Sequence, residues 1–417
     1  MGDRRIFISH CDADRTFANQ LIDHLRDHLD LDARHILTSH DVRSSLGARL
    51  LHRASSAIPN YPTCIVVLSP DALDSAHVHE EIHLALGAAR SSRATHIFVV
   101  VCRPCAVPAS LDGAPVVSFV SPASEPLALK DLTLAILRLQ WQHETPTVLL
   151  EKGINFFDQR RFMEATILLE HAVSQEPANP LMWTRLGLAY HYAGQNDNAL
   201  NALDRALTIS RPGPEVLAHK SLALNGLARY DDALATVDEA LHLDDRHVPS
   251  WMNKSLILDN MKRYEDALEA ADYAIKLKVN HRLAWCRRGL ALDHLERYEE
   301  AIGAYERAIS LSPSFAYAWL GMGNTFTHLH RDTDALGAYL RSARLDPEFK
   351  AAWFNLGLTL SHQKRPEEAL RMYEKALSLE PNNATALNNK ASILHDLGRS
   401  AEGLPYVDRA LELSPDH

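Results

Sequence analysis

The chain has 417 residues, a net charge of −10 and a pI near 6.1, which argues against a surface for nucleic acid or an anionic membrane. The five cysteines are scattered and odd in number, which predicts a reducing, cytoplasmic location. No apolar run approaches the ~18 residues that span a bilayer, and the opening MGDRRIFISH predicts a buried strand rather than a signal peptide.

Up to residue 145, apolar strands alternate with amphipathic helices. Strands are predicted at RRIFIS, HILTS, TCIVVLS, THIFVVV and PVVSFV, and helices over 14–28, 46–57, 71–90 and 127–142. This alternation predicts an α/β domain with a parallel sheet covered on both faces. Ligands of such sheets bind outside the carboxyl ends of the strands. No glycine-rich loop follows any strand, which excludes a P-loop and a dinucleotide-binding GxGxxG domain.

The helix predicted over 71–90 contains His79-Glu80-Glu81-Ile82-His83, which matches the H-E-x-x-H pattern of zinc proteases. In that interpretation His79 and His83 bind zinc, Glu80 is the general base, and a third ligand comes from elsewhere. Candidate third ligands include His35, His40 and His96, and none of these lies at a recognised spacing. A five-residue match arises easily by chance in a chain with 23 histidines, so zinc proteolysis is the weaker hypothesis.

The same segment belongs to a series of motifs that resembles the TIR domain family over roughly the first 145 residues. The matching segments, in family order, are FISH with CDAD (7–14), HDVRSSLG (40–47), VVLSP (66–70), SAHVHEEI (75–82) and CAVP (105–108). The resemblance implies a flavodoxin-like fold in which Glu81 takes the place of the glutamate that cleaves NAD+ in catalytic members. His77 and Val78 stand where the family usually has tryptophan and cysteine.

The resemblance also implies which other residues bind the substrate. NAD+ is then a substrate, and no cofactor or metal is expected. Phe7 and Tyr61 are candidates for stacking on a base. The residues implied to bind the substrate are Ser9, His10, Asp41, Ser44, Ser45, Gly47 and His77.

Cys102 and Cys105 form a CxxC pair. A redox pair needs to open a helix, where the dipole lowers the thiol pKa. Here the pair follows the strand THIFVVV and precedes the proline-containing loop AVPASL. The pattern therefore indicates the loop after the fourth strand of the resembled family.

From Pro146 to His417 the sequence repeats every 34 residues, in eight units. The fourth position of a unit holds Trp or Leu, as at Trp183, and the eighth and twentieth hold small residues, as at Gly187 and Ala199. Small residues allow two helices to approach closely, and prolines such as Pro313 end the second helix. No unit can bury its apolar face alone, so the pattern predicts a stacked helical solenoid.

These units resemble the tetratricopeptide repeat family, which implies a groove that binds proteins or peptides. The polar residues predicted to line that groove lack the pattern of repeats that clamp peptide C-termini. Metal binding by the recurrent histidines is the weaker interpretation of this set. The predicted lining residues are His191, His294, Asn324, His328, His362, Asn388 and His395.

The two resemblances together imply a TIR-like domain over 1–145 and an all-α solenoid over 146–417. Their combination favours an effector of prokaryotic immune defence that cleaves NAD+, by hydrolysis or cyclisation. In this hypothesis the solenoid senses a protein or peptide trigger or holds copies together, and neighbouring TIR domains complete the active site. The alternative is a non-catalytic scaffold whose TIR domain only docks other TIR domains.

Overall fold

The computed structural model describes residues 5–29, 31, 35–39, 41, 61–91, 96–119, 125–141 and 144–414. The chain forms two compact units, Met1–Ile209 and Ser210–His417. The predicted domain boundary after residue 145 thus lies within the first unit, and it stays a prediction. Among the described residues, no helix is long and apolar enough to cross a membrane.

The first unit begins with a five-stranded sheet in which every neighbouring pair is parallel. Its strands are ordered β2-β1-β3-β4-β5, an order of the flavodoxin-like doubly wound class. The predicted fold class is therefore confirmed. The strands are β1 (Ile6–Ser9), β2 (Ile36–Thr38), β3 (Thr63–Leu68), β4 (His96–Val101) and β5 (Val116–Ser118).

Four described helices accompany this sheet, and one prediction about them is wrong. The helix expected over 71–90 is two helices, because the amide of Asp74 bonds back to Pro70 and the amide of Ser75 to Ala72, which ends the first helix. The helix predicted over 46–57 lies outside the described residues. The helices are α1 (Arg15–Leu29), α2 (Pro70–Leu73), α3 (Ala76–Ser91) and α4 (Glu125–Trp141).

The sheet buries both faces, as the alternation of side chains along each strand requires. On one face Phe7 and Val66 share a core with Val78 and Ile82 of α3. On the other face Ile6, Ile8 and Ile65 share a core with residues of α1 and α4. The long apolar strands are thus explained by burial on both sides.

Between residues 146 and 413 the chain forms sixteen helices in eight pairs, as the 34-residue period predicts. The bounds of the first four pairs are α5 (Pro146–Asp158), α6 (Phe162–Gln175), α7 (Pro180–Tyr192), α8 (Asn196–Ile209), α9 (Pro214–Gly226), α10 (Tyr230–Leu243), α11 (Val248–Asn260) and α12 (Tyr264–Leu277). The last four pairs are α13 (Arg282–His294), α14 (Tyr298–Leu311), α15 (Ala316–His328), α16 (Asp332–Leu345), α17 (Lys350–His362), α18 (Pro366–Leu379), α19 (Ala384–Asp396) and α20 (Ser400–Leu413).

The small residues of the repeat act as expected. A Cβ added to Gly187 would lie 2.5 Å from Leu203, and one added to Gly323 would lie 2.6 Å from Tyr339, so a larger residue would displace the side chain packed against it from the paired helix. Ala199 is fully buried. The tryptophans also fix the turn that precedes their helix, because each indole N–H donates to the carbonyl six residues earlier, at Trp183, Trp251, Trp285, Trp319 and Trp353.

The first repeats share one hydrophobic core with the sheet. Trp141 at the end of α4 is 3% exposed, and it belongs to the same cluster as Ile8 of the sheet and Leu168 of α6. Two polar contacts support this joint: the Arg161 guanidinium donates to the backbone carbonyl of His28, and the Gln175 amide donates to that of Glu144. The α/β domain and the first repeats therefore have a single core within the first unit.

Candidate active site at the carboxyl edge of the sheet

Helix α3 places the two glutamates of the HEEIH segment in opposite environments. Glu81 is only 5% exposed, whereas Glu80, His79 and His83 are exposed. Successive residues of an α-helix point about 100° apart, so the core-facing stripe that contains Val78 and Ile82 also carries Glu81 inward. Glu81 is thus the carboxylate of this segment that the fold directs into the domain.

The Glu81 carboxylate is held by two serines from different strands. The hydroxyl of Ser9, the last residue of β1, and that of Ser39, directly after β2, each donate to Oε2 at 2.6 Å. Both serines are fully buried. Buried hydroxyls that donate to a carboxylate favour its ionised form and fix its orientation.

His10 and His77 are connected to Ser39 by hydrogen bonds. The His10 amide donates to Ser39 Oγ at 3.0 Å, and His77 Nε2 donates to the His10 backbone carbonyl at 3.3 Å. His77 Nδ1 lies 2.8 Å from the hydroxyl oxygen of Ser75. The histidine that replaces the family's usual tryptophan therefore connects the start of α3 to the end of β1.

Asp41 lies three residues after the end of β2. Its Oδ2 accepts from the amide and the hydroxyl of Thr38, at 3.0 and 2.7 Å. A cleft of about 390 Å³ brings Asp41 together with His10, and Arg15 and Arg26 of α1 supply cationic groups to its wall. Glu81 is not among the described residues that line this cleft.

A second polar cluster lies at the carboxyl ends of β1, β3 and β4. The buried Asp14 accepts from Ser69 Oγ at 2.5 Å, from Cys11 Sγ at 2.9 Å and from the Arg103 guanidinium at 2.7 Å. Arg103 also pairs with the exposed Asp71 at 2.5 Å. Burial acts to raise the pKa of Asp14, but the bonds from Cys11, Ser69 and Arg103 outweigh it and hold that pKa below its ordinary value.

We expect Asp14→Asn to weaken the α/β domain by about 2–3 kcal/mol at pH 7, because the amide cannot accept from all of these donors. A lowered pKa stabilises the fold above the unfolded value of 3.8, and the stabilisation is lost as pH falls through the lower folded value. The difference between wild type and variant should therefore shrink below about pH 4. Hydrogen exchange of β1 and β3 peptides across this pH range measures it.

Asp71→Asn is the matched control, since Asp71 contacts the same arginine at the surface. Exposed ion pairs contribute about 0–1 kcal/mol, so this variant should resemble wild type at every pH. A difference between Asp14→Asn and wild type that stays constant from pH 7 to pH 3 would contradict the assignment.

The CxxC pair lies in a loop after β4, as predicted. Burial, followed by the nearby Asp14 carboxylate, raises the pKa of Cys102 to about 12. Burial also raises the pKa of Cys105, and neither residue begins a helix. Thiols with raised pKa values are poor nucleophiles, which is the opposite of what a redox pair requires.

Both histidines that bind zinc in the zinc-protease interpretation lie at the surface. Among the described residues, no three His, Cys, Asp or Glu side chains are arranged to hold a metal ion. His79 Nε2 instead donates to the backbone carbonyl of Leu73 at 2.6 Å. His40 lies outside the described residues, so it is not part of this comparison.

The structure thus brings together Ser9, His10, His77 and Glu81 of the predicted site residues. Ser44, Ser45 and Gly47 lie outside the described residues. The stacking role suggested for Phe7 is wrong, because Phe7 is fully buried within the sheet. Tyr61 precedes β3, at the amino-terminal ends of the strands, whereas Glu81 lies near their carboxyl ends. The Tyr61 ring packs against Phe7 with ring centroids 6.3 Å apart.

Sequence reasoning missed Ser39. Its signal was its place as the last residue of the predicted strand HILTS, since ligands of parallel sheets bind outside the carboxyl ends of the strands. Sequence reasoning also missed the buried Asp14, although acidic residues that follow a strand and precede a helix can be noticed for the same reason.

Several predicted groove residues of the repeats have polar partners within the second unit. His294 Nδ1 lies 2.8 Å from Asp259, whose carboxylate raises the pKa of that histidine, and His328 Nδ1 lies 3.2 Å from Asp293. Asn324 accepts from the Tyr339 hydroxyl at 2.9 Å. His294 and His328 are thus each paired with an aspartate of the preceding repeat.

Comparison with protein families agrees with an α/β domain followed by helical repeats. Residues 6–133 match the TIR domain model. Tetratricopeptide repeat models match residues 150–214, 220–280, 283–315, 351–383 and 372–404. The chain is a TIR domain followed by tetratricopeptide repeats. No curated protein sequence matches it.

Solved structures similar to this TIR–repeat protein share the repeat fold. The APC/C hetero-tetramer Cut9–Hcn1 matches with a TM-score of 0.52 at 16% identity, over 71% of this chain and 58% of that chain. A tetratricopeptide repeat protein from Parabacteroides merdae matches with a TM-score of 0.48 at 19% identity, over 60% of this chain and 98% of that chain. At these identities the similarity concerns the fold alone.

Proposed function

We propose that the TIR domain cleaves NAD+ between nicotinamide and ribose, and that the repeats control this reaction. The observation that supports the proposal is the carboxylate of Glu81, carried inward by α3 and held by Ser9 and Ser39 at the edge of the sheet where parallel α/β domains bind ligands. By the resemblance of the segment 75–82, Glu81 also takes the place of the glutamate that catalytic TIR domains use.

The chemistry needs one well-placed carboxylate. The bond between ribose C1′ and the nicotinamide nitrogen breaks, and its electron pair leaves with nicotinamide, which departs as a neutral molecule. The ribose that remains has oxocarbenium character, which a nearby carboxylate stabilises electrostatically. Water then adds to C1′ and loses a proton, which gives ADP-ribose, or a nucleophile of the same nucleotide closes a cyclic product.

The repeats supply the partner-binding half of this proposal. In it, the solenoid binds a protein or peptide trigger or joins copies of the chain, and neighbouring TIR domains complete the active site. Because assembly follows mass action, nicotinamide release per mole of protein should rise with protein concentration. A role in prokaryotic defence, through loss of NAD+ or formation of a signal nucleotide, follows from this combination.

The test incubates NAD+ with the full chain over a wide range of protein concentrations and resolves nicotinamide, ADP-ribose and cyclic products by chromatography. We expect one nicotinamide for each NAD+ consumed and a rate that rises more steeply than linearly with protein concentration. A specific activity that is constant from dilute to concentrated protein would argue against control by assembly.

A second candidate function is a docking module without catalysis. The observation that favours it is the burial of Glu81, which is 5% exposed and absent from the described lining of the adjacent cleft. A docking module predicts no nicotinamide release at any concentration, together with self-association of the TIR domain. The same concentration series therefore separates the two functions.

A further inference from the structure

Ser39 makes contacts that Ser9 does not share. Its oxygen accepts the amide proton of His10 at 3.0 Å, and its own hydroxyl lies 2.6 Å from Glu81 Oε2 but 3.4 Å from the carbonyl of Ile8. A serine has one proton to donate, and the shorter bond to a charged acceptor is the stronger one. The Ser39 proton is therefore directed at Glu81.

The hydrogen bond from the His10 amide holds the Ser39 hydroxyl oxygen in place. The His10 amide directly follows β1, and the oxygen that it holds cannot turn away from Glu81 without losing a buried hydrogen bond. Ser39 itself is fully buried. The Ser39 oxygen is thus held within hydrogen-bonding distance of Glu81.

We propose that Ser39 is a positioning residue of the TIR site, which orients the Glu81 carboxylate and favours its charged form by donating to Oε2. The inference deepens the proposed NAD+ cleavage and rests on it. Ser39 acts through Glu81 rather than on the substrate. Its loss should therefore change the protonation of Glu81 and the turnover number, while the KM for NAD+ stays nearly constant.

The matched control is Ser69→Ala. Ser69 is equally buried, follows β3 at the same edge of the sheet and also donates to a carboxylate, but that carboxylate is Asp14. Ser39→Ala and Ser69→Ala thus remove the same group from similar surroundings. Ser39→Cys keeps the size and a weak donor, so it serves as a second variant if Ser39→Ala does not fold.

The experiment records pH-difference infrared spectra of the full chain, with the Glu81 band identified by subtraction of Glu81→Gln. In Ser39→Ala we expect the protonation midpoint of the Glu81 carboxyl to rise by about one to two pH units, because a hydrogen bond to the charged form is lost. Ser39→Cys should give a smaller rise, and Ser69→Ala should leave the midpoint in place.

Activity measurements then complete the test. We expect kcat of Ser39→Ala to fall about 10-fold or more with KM within about twofold, and the acidic limb of its pH profile to move with the infrared midpoint. An unshifted midpoint in folded Ser39→Ala, or an equal shift in Ser69→Ala, overturns the role of Ser39. Absence of nicotinamide release from wild type overturns the proposed function instead, since the infrared midpoint is measured without turnover.

Discussion

Glu81→Gln should fold like wild type and lose NAD+ cleavage by about 10²–10³-fold in kcat. Glutamine keeps the size of glutamate and can still accept from Ser9 and Ser39, but it lacks the charge that stabilises an oxocarbenium-like state. The loss should therefore appear in turnover rather than in stability. Chromatographic measurement of nicotinamide release, with circular dichroism to confirm folding, checks this result.

Glu80→Gln is the matched control, one residue away on the same helix. Glu80 is exposed, and its side chain points away from the two serines, so most activity should remain. His79→Ala and His83→Ala should also keep most activity. If the segment were a zinc site with Glu80 as general base, Glu80→Gln would be inactive and Glu81→Gln mild, which is the reverse pattern. Full turnover by folded Glu81→Gln would falsify the assignment of Glu81.

Trp141→Ala should destabilise the TIR domain and the first repeats together, by about 3–5 kcal/mol. The indole is 3% exposed in a core that also contains Ile8 of the sheet and Leu168 of α6, so the cavity left behind is shared by both. Regions that depend on one core lose protection as one cooperative unit. Hydrogen exchange should therefore increase in β1, β3 and α6 peptides by similar factors.

Trp319→Ala provides the comparison in the second unit. Trp319 packs near Arg341 and donates to the carbonyl of Pro313, so its loss should act on its own repeats and leave β1 and β3 unchanged. Faster exchange in α6 of Trp141→Ala, with strand peptides still fully protected, would show that the TIR domain and the repeats unfold independently.

The repeat half of the protein was largely predictable from its sequence. The small residue at Gly187 and the alanine at Ala199 recur every 34 residues, because each pair of helices packs mainly against itself and its neighbours. Contacts between residues near in sequence leave a periodic pattern that can be read directly. The parallel sheet was also predictable, because strands buried on both faces have continuous runs of apolar residues.

The candidate site was predictable only in part. The family resemblance pointed to Glu81. Apart from that resemblance, nothing in the sequence distinguished the environment of Glu81 from that of Glu80. The break between α2 and α3 also escaped prediction, because it depends on how the amides of Asp74 and Ser75 bond back to the preceding turn. A local deviation of this kind leaves no periodic pattern.

The amino-acid sequence by itself determined the two fold classes and the repeat period, and the family resemblance predicted Glu81 as the site residue. Only the tertiary structure decided that Ser39 and Ser9 meet at one oxygen of Glu81, that Arg103 reaches Asp14, and that one core joins the sheet to the first repeats. These partners are separated by 42, 72 and 89 residues for the three polar contacts. Such contacts depend on the order and register of the strands, which place distant residues side by side without any repeating signal along the chain.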